Sequence, residues 1–271
     1  MITVGAEGFR IVRKQNALFH GKVDYEKSLL QQANVRKLFG AINLPAMGLP
    51  DEVFVANAAL TLPMLPTPTF LTANFKYAQR KEEADHIASF LRKIGKVVKW
   101  PYDSVLEGQG ETKWFRVNGR LIVVVGYGFR STKTSVADLD EILNKIYTSQ
   151  GVDPPLVVGV RLINPKFYHM DIATHAIRLN KCLIQAGSMR YADVQKLEGI
   201  GIECIVRAFD DPFAINAVLR NGKFYTHVLT PKAKSLLTPI LNSLGDQLVE
   251  VDVSEFEKAG GGLRCMTLSI Y

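Results

Sequence analysis

No apolar run in this sequence approaches the roughly 20 residues that a bilayer-spanning helix needs, so no membrane association is expected. The opening Met1-Ile2-Thr3-Val4-Gly5 lacks the basic start and apolar core of a secretory leader. Cysteine is scarce and odd in number, three in 271 residues, which argues against a disulfide framework and for a reducing, cytoplasmic setting. Neither C-x-x-C nor H-E-x-x-H spacing occurs, so no metal centre is expected, and no cofactor. Acidic residues are in deficit, 26 against 33 Lys and Arg, but the net +7 is scattered in pairs such as Arg36-Lys37, Arg80-Lys81 and Arg92-Lys93. Without a basic block, or basic residues interleaved with aromatics, nucleic acid is not an expected partner. No low-complexity linker divides the chain, so the reading is one domain over residues 1–271 with a sizeable core. Its expected partners are a small-molecule substrate and, at most, further copies of the same chain as a homo-oligomer.

What is present is a repeated pattern of elements. Residues 9–12 read as a short strand and 25–38 as a helix with apolar Leu29, Leu30, Val35 and Leu38. A mostly apolar strand over 53–60 carries one polar residue, Asn57. After Pro63, Pro66 and Pro68 come a strand over 69–74, an amphipathic helix over 81–94 with Gly95 as its C-cap, and a strand over 97–100. The pattern returns as a strand over 121–125, a helix over 136–147 capped by Ser135, and a strand over 156–162. Residues 181–185, 191–197 and 204–206 give strand, helix, strand, with Cys182 and Cys204 inside central strands. A hairpin over 214–219 and 223–229 turns at Asn221-Gly222, a strong turn pair. A helix over 232–244 and a strand over 248–251 follow. These amount to about five units of roughly fifty residues, related by pattern and not by identity.

Polar groups stand at the ends of several apolar strands, where a core has no need of them. They are Asn57, the run Glu107-Gly108-Gln109-Gly110-Glu111, the run Asn164-Pro165-Lys166-Phe167-Tyr168-His169-Met170-Asp171, and Cys265. Cys265 follows Gly260-Gly261-Gly262 and a short helical start with Ser254 as cap. Three glycines are poor helix and poor strand, and they allow a sharp turn or a close backbone approach. The reading that follows is a cysteine presented by its turn, with a buried strand cysteine after a hinge as the alternative. If the units surround a common axis, these strand ends converge. A thiol, a histidine that can take and return a proton near neutral pH, and nearby carboxylates make a nucleophile, a base and a charge stabiliser. A metal site built from the same residue types is the competing reading.

Leu49-Pro50-Asp51-Glu52-Val53-Phe54-Val55-Ala56-Asn57-Ala58, Glu107 to Glu111, Phe167 to Asp171, and Gly260-Gly261-Gly262-Leu263-Arg264-Cys265-Met266-Thr267-Leu268 resemble, in order, four motif blocks of the guanidino-group-modifying enzymes. That superfamily includes arginine deiminase, dimethylarginine dimethylaminohydrolase, the amidinotransferases and the arginine dihydrolases. The resemblance implies an α/β fold, a five-bladed α/β propeller (pentein) of ββαβ-type units around a central active site. It implies Cys265 as nucleophile, His169 as general acid/base, and Glu107 and Asp171 as carboxylates gripping the guanidinium. Asn57 stands where deiminases and dimethylargininases have Asp, in a context similar to the dihydrolases. Arg80, Arg130 and, more loosely, Asn16 match further substrate-binding positions of the family. Glu111 departs from the family's Asp.

Bland readings of the same residues are a helix-start surface charge for Arg80, a surface ion pair for Arg130, and turn or strand-edge roles for Asn16 and Asn216. His20, His86, His175 and His227 show no partner in the sequence and read as structural or exposed. What the resemblance implies is a cysteine-dependent hydrolase of arginine's guanidino group, working through a covalent amidino-thioether. It would be a dihydrolase giving ornithine, CO2 and ammonia, or a deiminase giving citrulline. Dimethylargininase and amidinotransferase activities are the alternatives. A non-catalytic propeller binding an arginine-like ligand is a remote one.

Overall fold

The computed structural model describes residues 1–270. The chain opens with β1 (Ile2–Val4), α1 (Tyr25–Phe39) and β2 (Ile42–Leu44). Asp24 starts α1 by accepting the Lys27 N–H, and Gly40, at φ 54°, ends it in a left-handed cap. One order then recurs four times: two antiparallel strands, a helix, and a third strand parallel to the second. Blade 1 is β3 (Ala59–Leu62), β4 (Thr69–Thr72), α2 (Lys81–Leu91) and β5 (Lys96–Val98). Blade 2 is β6 (Thr112–Val117), β7 (Arg120–Tyr127), α3 (Thr134–Thr148) and β8 (Leu156–Arg161). A single-turn helix, α4 (Met170–Ala173), leads into blade 3, made of β9 (Thr174–Arg178), β10 (Lys181–Gln185), α5 (Tyr191–Gly199) and β11 (Glu203–Arg207). Blade 4 is β12 (Val218–Arg220), β13 (Lys223–Thr226), α6 (Pro231–Ser243) and β14 (Gln247–Glu250), and α7 (Ser254–Glu257) follows it. A parallel neighbour requires a crossover, and each helix supplies it while burying its apolar face on the sheet.

The fifth blade is made from both ends of the chain. β1 pairs parallel with β2, and Leu268 bridges antiparallel to Ile2 through two 2.9 Å backbone hydrogen bonds. The C-terminal tail therefore stands where the first strand stands in the other blades. The cores close the ring. Leu60 and Leu71 of blade 1 pack with Val123, Leu139 and Leu143 of blade 2. Val124 and Val160 of blade 2 pack with Cys182 and Leu197 of blade 3. Leu183 meets Phe224 and Leu237 of blade 4. Val218 meets Val35 and Phe39 of blade 5, and Ile2 and Leu44 return to Phe70 and Ile87 of blade 1. Each apolar cluster thus wedges two successive blades together, and the expected five-bladed α/β propeller is what forms.

Several elements differ from their sequence reading. Residues 9–12 are not a strand; Phe9 is instead a core plug against the rings of Phe54 and Phe256. The 53–60 run is not one strand, because a 3-10 turn at Val55–Asn57 precedes β3. Gly95 is not the cap of α2, which ends at Arg92; a Cβ at Gly95 would lie 2.2 Å from the Pro68 carbonyl oxygen. Ser135 does not cap α3 but lies within its first turn, its hydroxyl donating to the Thr132 carbonyl at 2.6 Å. Ser254 is no cap either, since Val253 holds that position and the Ser254 hydroxyl accepts from Lys27 and Gln31. β6 and β9 were not anticipated. Cys204 lies on an edge strand and not a central one.

His227, read as partnerless, joins blade 4 to α7. Its Nδ1 is 2.8 Å from Glu257 Oε1, and its Nε2 is 2.8 Å from Asp211 Oδ1 in an ion pair whose angle is poor for a hydrogen bond. Burial alone would lower the imidazolium, but the two carboxylates raise it from 6.5 to about 9. A folded value above the unfolded one means that this stabilisation is complete below pH 6.5 and fades as pH rises through about 9. Urea unfolding at a series of pH values should show a decline on the order of 3 kcal/mol across that window. His227→Gln should flatten it; a variant curve as steep as wild type would remove His227 as the cause.

Candidate active site

Each blade delivers polar residues from the segment just ahead of its first strand. Asn57 ends the 3-10 turn before β3, and Glu107 and Glu111 flank the turn Gly108–Gly110 before β6. His169 holds the N-cap position of α4 and Asp171 its first turn, before β9. Asn216 precedes β12, and Cys265 precedes the tail at Leu268. Equivalent positions in a ring of blades converge at one end of its axis, and all of these side chains are buried there.

His169 Nε2 lies 2.8 Å from Glu107 Oε2, and the same oxygen accepts from Arg130 Nη1 at 2.9 Å. Glu107 Oε1 accepts the Lys76 N–H at 3.2 Å. With Nε2–H donating to Glu107, Nδ1 is the imidazole atom left for chemistry. Burial opposes the Glu107 charge, yet Arg130 and His169 overcome it and hold this carboxyl well below the usual range. Burial lowers His169, with Glu107 acting against it. Burial, and then the charge of Glu107, pushes the Glu111 carboxyl well up; it accepts the Ser131 N–H at 3.1 Å.

The Cys265 thiol donates to Asp171 Oδ2 at 3.3 Å, and its sulfur accepts from Asn216 Nδ2 at 3.3 Å. Burial, then the Asp171 charge, raises the thiol, with the Gly262 N–H and Asn216 opposing. The resting cysteine is therefore a protonated thiol. Asp171 Oδ1 and Asn57 Nδ2 are buried without a hydrogen-bond partner among the described residues. Asn57 Oδ1 accepts from Arg80 Nη1 at 3.3 Å.

The glycines make room for these groups. A Cβ at Gly110 would stand 2.1 Å from Asn57 Nδ2. At Gly260, where φ is +89°, it would meet Asn16 at 2.3 Å, and at Gly261 the Phe54 ring at 2.2 Å. The triple glycine thus serves a turn and two side-chain approaches.

Cys265, His169, Asn57, Arg80, Arg130 and Asn16 line one cavity, together with Arg13, Gln15, Phe19, Asp51, Phe54 and Tyr168. About 20 Å³ is free within it, room for one water and not for a guanidino compound. Four placements differ from the sequence reading. Neither Glu107 nor Asp171 lines the cavity: Glu107 faces His169 and Arg130, and Asp171 faces the Cys265 thiol. Arg80 is no surface charge, for it is buried and held by three hydrogen bonds to Glu83. Arg130 pairs with Glu107 and lies over the rings of Tyr77 and Tyr168 at 4.9 and 4.7 Å. Asn16 stays on the cavity wall, its amide donating to the Ala259 carbonyl at 2.9 Å.

Sequence reasoning gave Asn216 only a turn or strand-edge role and assigned none to Tyr168 or Lys113. Asn216 sits in an apolar run as a lone polar residue, and that was its signal. Tyr168 donates to the Gly260 carbonyl at 2.6 Å, pinning the turn before Cys265. Lys113 is a buried amine, pushed down to about 8 by burial while the charge of Asp171 works to keep it protonated. A lysine between Thr112 and Trp114 gave no hint of it.

No protein-family model matches the sequence. It is 30% identical over 230 residues to the N(G),N(G)-dimethylarginine dimethylaminohydrolase of Mycobacterium tuberculosis, across 84% of this chain and 68% of that protein. It is 28% identical over 228 residues to the bifunctional arginine dihydrolase/ornithine cyclodeaminase AgrE of Nostoc, across 83% of this chain but only 30% of that protein. The product-bound N-terminal domain of ArgZ, a cyanobacterial arginine dihydrolase, matches with a TM-score of 0.83 and 25% identity over 98% of this chain and 95% of that one. A dimethylarginine dimethylaminohydrolase carrying an S-methyl-L-thiocitrulline adduct shares the fold, with a TM-score of 0.78 at 20% identity over 100% of this chain and 98% of that one. The four motif blocks thus coincide with overall similarity in sequence and in fold, and the chain belongs to the guanidino-group-modifying enzymes, the family of dimethylarginine dimethylaminohydrolase and the arginine dihydrolases.

Proposed function

We propose that the protein hydrolyses the guanidino group of L-arginine in two rounds at Cys265, giving ornithine, CO2 and two ammonia. A guanidinium is planar and delocalised, so its carbon is a poor electrophile until its plane is fixed. Segment 11–19 supplies Ile11, Arg13, Gln15, Asn16 and Phe19 to the cavity wall, and it must swing away to admit a substrate. The arriving cation sits beside the Cys265 sulfur and lowers its pKa, the thiol passes its proton to His169 Nδ1, and the thiolate so formed attacks the guanidinium carbon. His169 protonates the departing nitrogen, ammonia leaves, and an amidino-thioether remains. His169 then takes a proton from water, which attacks the same carbon and releases citrulline. A second attack, now on the ureido carbon, expels the second ammonia. Hydrolysis of that thioester-like adduct leaves a carbamate, which loses CO2. A cytoplasmic setting suits three free thiols.

The observation that carries the two-round reading is Asn57 Nδ2, a buried donor on the cavity wall with no partner among the described residues. A guanidinium offers only donors, whereas a ureido group offers a carbonyl oxygen. Asn57 Nδ2 can donate to that oxygen, and an aspartate at this position would repel it. With arginine supplied, wild type should release ornithine and two equivalents of ammonia, read by amino-acid chromatography and an ammonia assay. Asn57→Asp should stop at citrulline and one equivalent. Citrulline alone from wild type would make the protein a deiminase. Turnover only of methylated arginine would place it with the dimethylargininases, and turnover only with an added amine with the amidinotransferases.

Cys265→Ser should lower turnover by roughly a thousandfold or more while arginine still binds. His169→Ala should be similarly crippled, and the double variant should be no slower than the worse single one, because members of one catalytic unit are not additive. Multiplied losses in the double variant would separate the two residues. A chloroacetamidine reagent, which carries the amidinium charge, should label Cys265 once per chain. A binding protein without covalent chemistry would show neither this labelling nor the Cys265→Ser loss.

A further inference from the structure

Blade 3 carries two thiols that the proposed reaction does not use. Cys182 is buried on the central strand β10, and Cys204 is half-buried on the edge strand β11. They are direct register partners in the parallel ladder, so they share a face of the sheet. Their sulfurs are 3.8 Å apart, with the Cys182 thiol directed at Cys204, while Cys204 Sγ also lies 3.5 Å from the Ile202 carbonyl. Neighbouring strands run roughly 4.8 Å apart, inside the Cα range of about 4.4–6.8 Å that a disulfide spans. The remaining gap to a bond of about 2.05 Å is a matter of side-chain rotation and a small shift of β11, which has one neighbour only.

The two members are unequal in a way that suits oxidation. The hydrogen bond from Cys182 lowers the Cys204 thiol, whereas that same bond and burial raise Cys182. The half-buried partner is also the one that an oxidant reaches first, and the buried one sits behind it. Cys265, by contrast, is fully enclosed and protonated in the resting protein.

We propose that Cys182 and Cys204 are a redox modification site, closing to a reversible disulfide under peroxide before Cys265 is oxidised. The Cys204 thiolate attacks one oxygen of hydrogen peroxide. An S–O bond forms, the O–O bond breaks, and the departing hydroxide leaves as water with the proton that Cys204 gave up. Cys182 sulfur then attacks the sulfenic sulfur of Cys204. The S–S bond forms, the S–O bond breaks, and the hydroxyl leaves as a second water with the Cys182 proton. Two thiols lose two electrons and one peroxide gains them. The bond joins β10 to β11 and touches none of the segments that deliver Cys265, His169 or Asn57, so turnover should persist. The proposal does not depend on which guanidino compound is the substrate.

The full chain is exposed to graded hydrogen peroxide, blocked with an alkylating reagent under denaturing conditions and mapped by mass spectrometry without reductant. Tryptic peptides 182–190 and 197–207 should appear joined, and dithiothreitol should release them. At the same dose, peptide 265–271 should still carry the alkyl group, and arginine turnover should remain near its starting rate. Cys204→Ser should keep turnover and lose the joined peptides. Oxidation of Cys265 before the pair closes overturns the proposal, as does sulfinic acid at Cys204 with Cys182 still alkylated. The wild-type peptide map separates these outcomes whether or not the variant folds.

Discussion

The fold depends on two backbone hydrogen bonds between Ile2 and Leu268. Four blades are continuous in sequence, and the apolar clusters at their two open sides, around Phe70 and around Val218, are completed by residues of the fifth. The fifth comes from the two termini, and it exists only if the tail pairs with β1. That pairing also fixes Cys265, which stands three residues before the paired position. The Cys265 carbonyl in turn accepts the Ala56 N–H at 3.1 Å, next to Asn57. Closing the ring and seating the thiol are therefore one event. A tail that frays would cost a blade and the reactive centre together.

Around that centre, charge is buried in compensated sets. Arg80 is matched by Glu83, and Arg130 by Glu107, which also holds His169. Both side chains of the Arg80–Glu83 pair are buried, and that burial lifts the Glu83 carboxyl to about 7 against the pull of Arg80. Breaking one partner of such a set strands the other without water, a loss of roughly 3–5 kcal/mol. Glu111 has no cation of its own, and burial beside Glu107 pushes its carboxyl well up. Its extra methylene, relative to the family's aspartate, lets Oε1 reach the Ser131 N–H. That contact anchors the loop carrying Arg130, so the departure from the family pattern has a local structural use.

Much of this was legible in the sequence because it is written in local grammar. Helices at 81–91, 134–148 and 231–243 show periodic apolar faces, whereas α1 buries Ser28, Gln31 and Gln32 and leaves Leu30 and Leu38 exposed; Asn221-Gly222 marks its hairpin with φ of 52° and 69°. The strand ends carrying Asn57, Glu107, His169 and Cys265 stood out as polar groups in apolar surroundings. What stayed hidden is what depends on the ring. Residues 53–60 are buried on every side, so no alternation distinguishes a 3-10 turn from a strand. β6 shows no clean alternation because Thr112, Lys113 and Phe115 are buried, Trp114 and Val117 half-buried and Arg116 exposed. β1 is three residues long and gains meaning only from a partner at the far end of the chain. His227 and Lys113 had no local partner, since Asp211, Glu257 and Asp171 reach them only after folding. The strand pairing of Cys182 with Cys204 is likewise a matter of register, which spacing alone does not give.

The reactive centre carries an apparent contradiction. A thiol nucleophile works as thiolate and gains from a positive neighbour, yet Cys265 is enclosed beside a carboxylate that pushes its pKa upward. The buried cations are committed elsewhere, Arg80 to Glu83 and Arg130 to Glu107, while Lys113 is itself pushed down by burial and Arg13 stands exposed on the cavity wall. A thiol so placed gains from a cation that enters beside it. A guanidinium is such a cation. In the proposed reaction its charge would offset that of Asp171 and favour thiolate at the moment when the electrophilic carbon is in reach. The same logic sets the harder problem of a second round, because citrulline brings no charge with it. The thiolate would then have to be sustained by what the protein holds, namely the Gly262 N–H and the Asn216 amide, with Lys113 protonated nearby. Asn57, neutral and with a donor to spare, is the one substitution in the motif blocks that eases that step instead of opposing it.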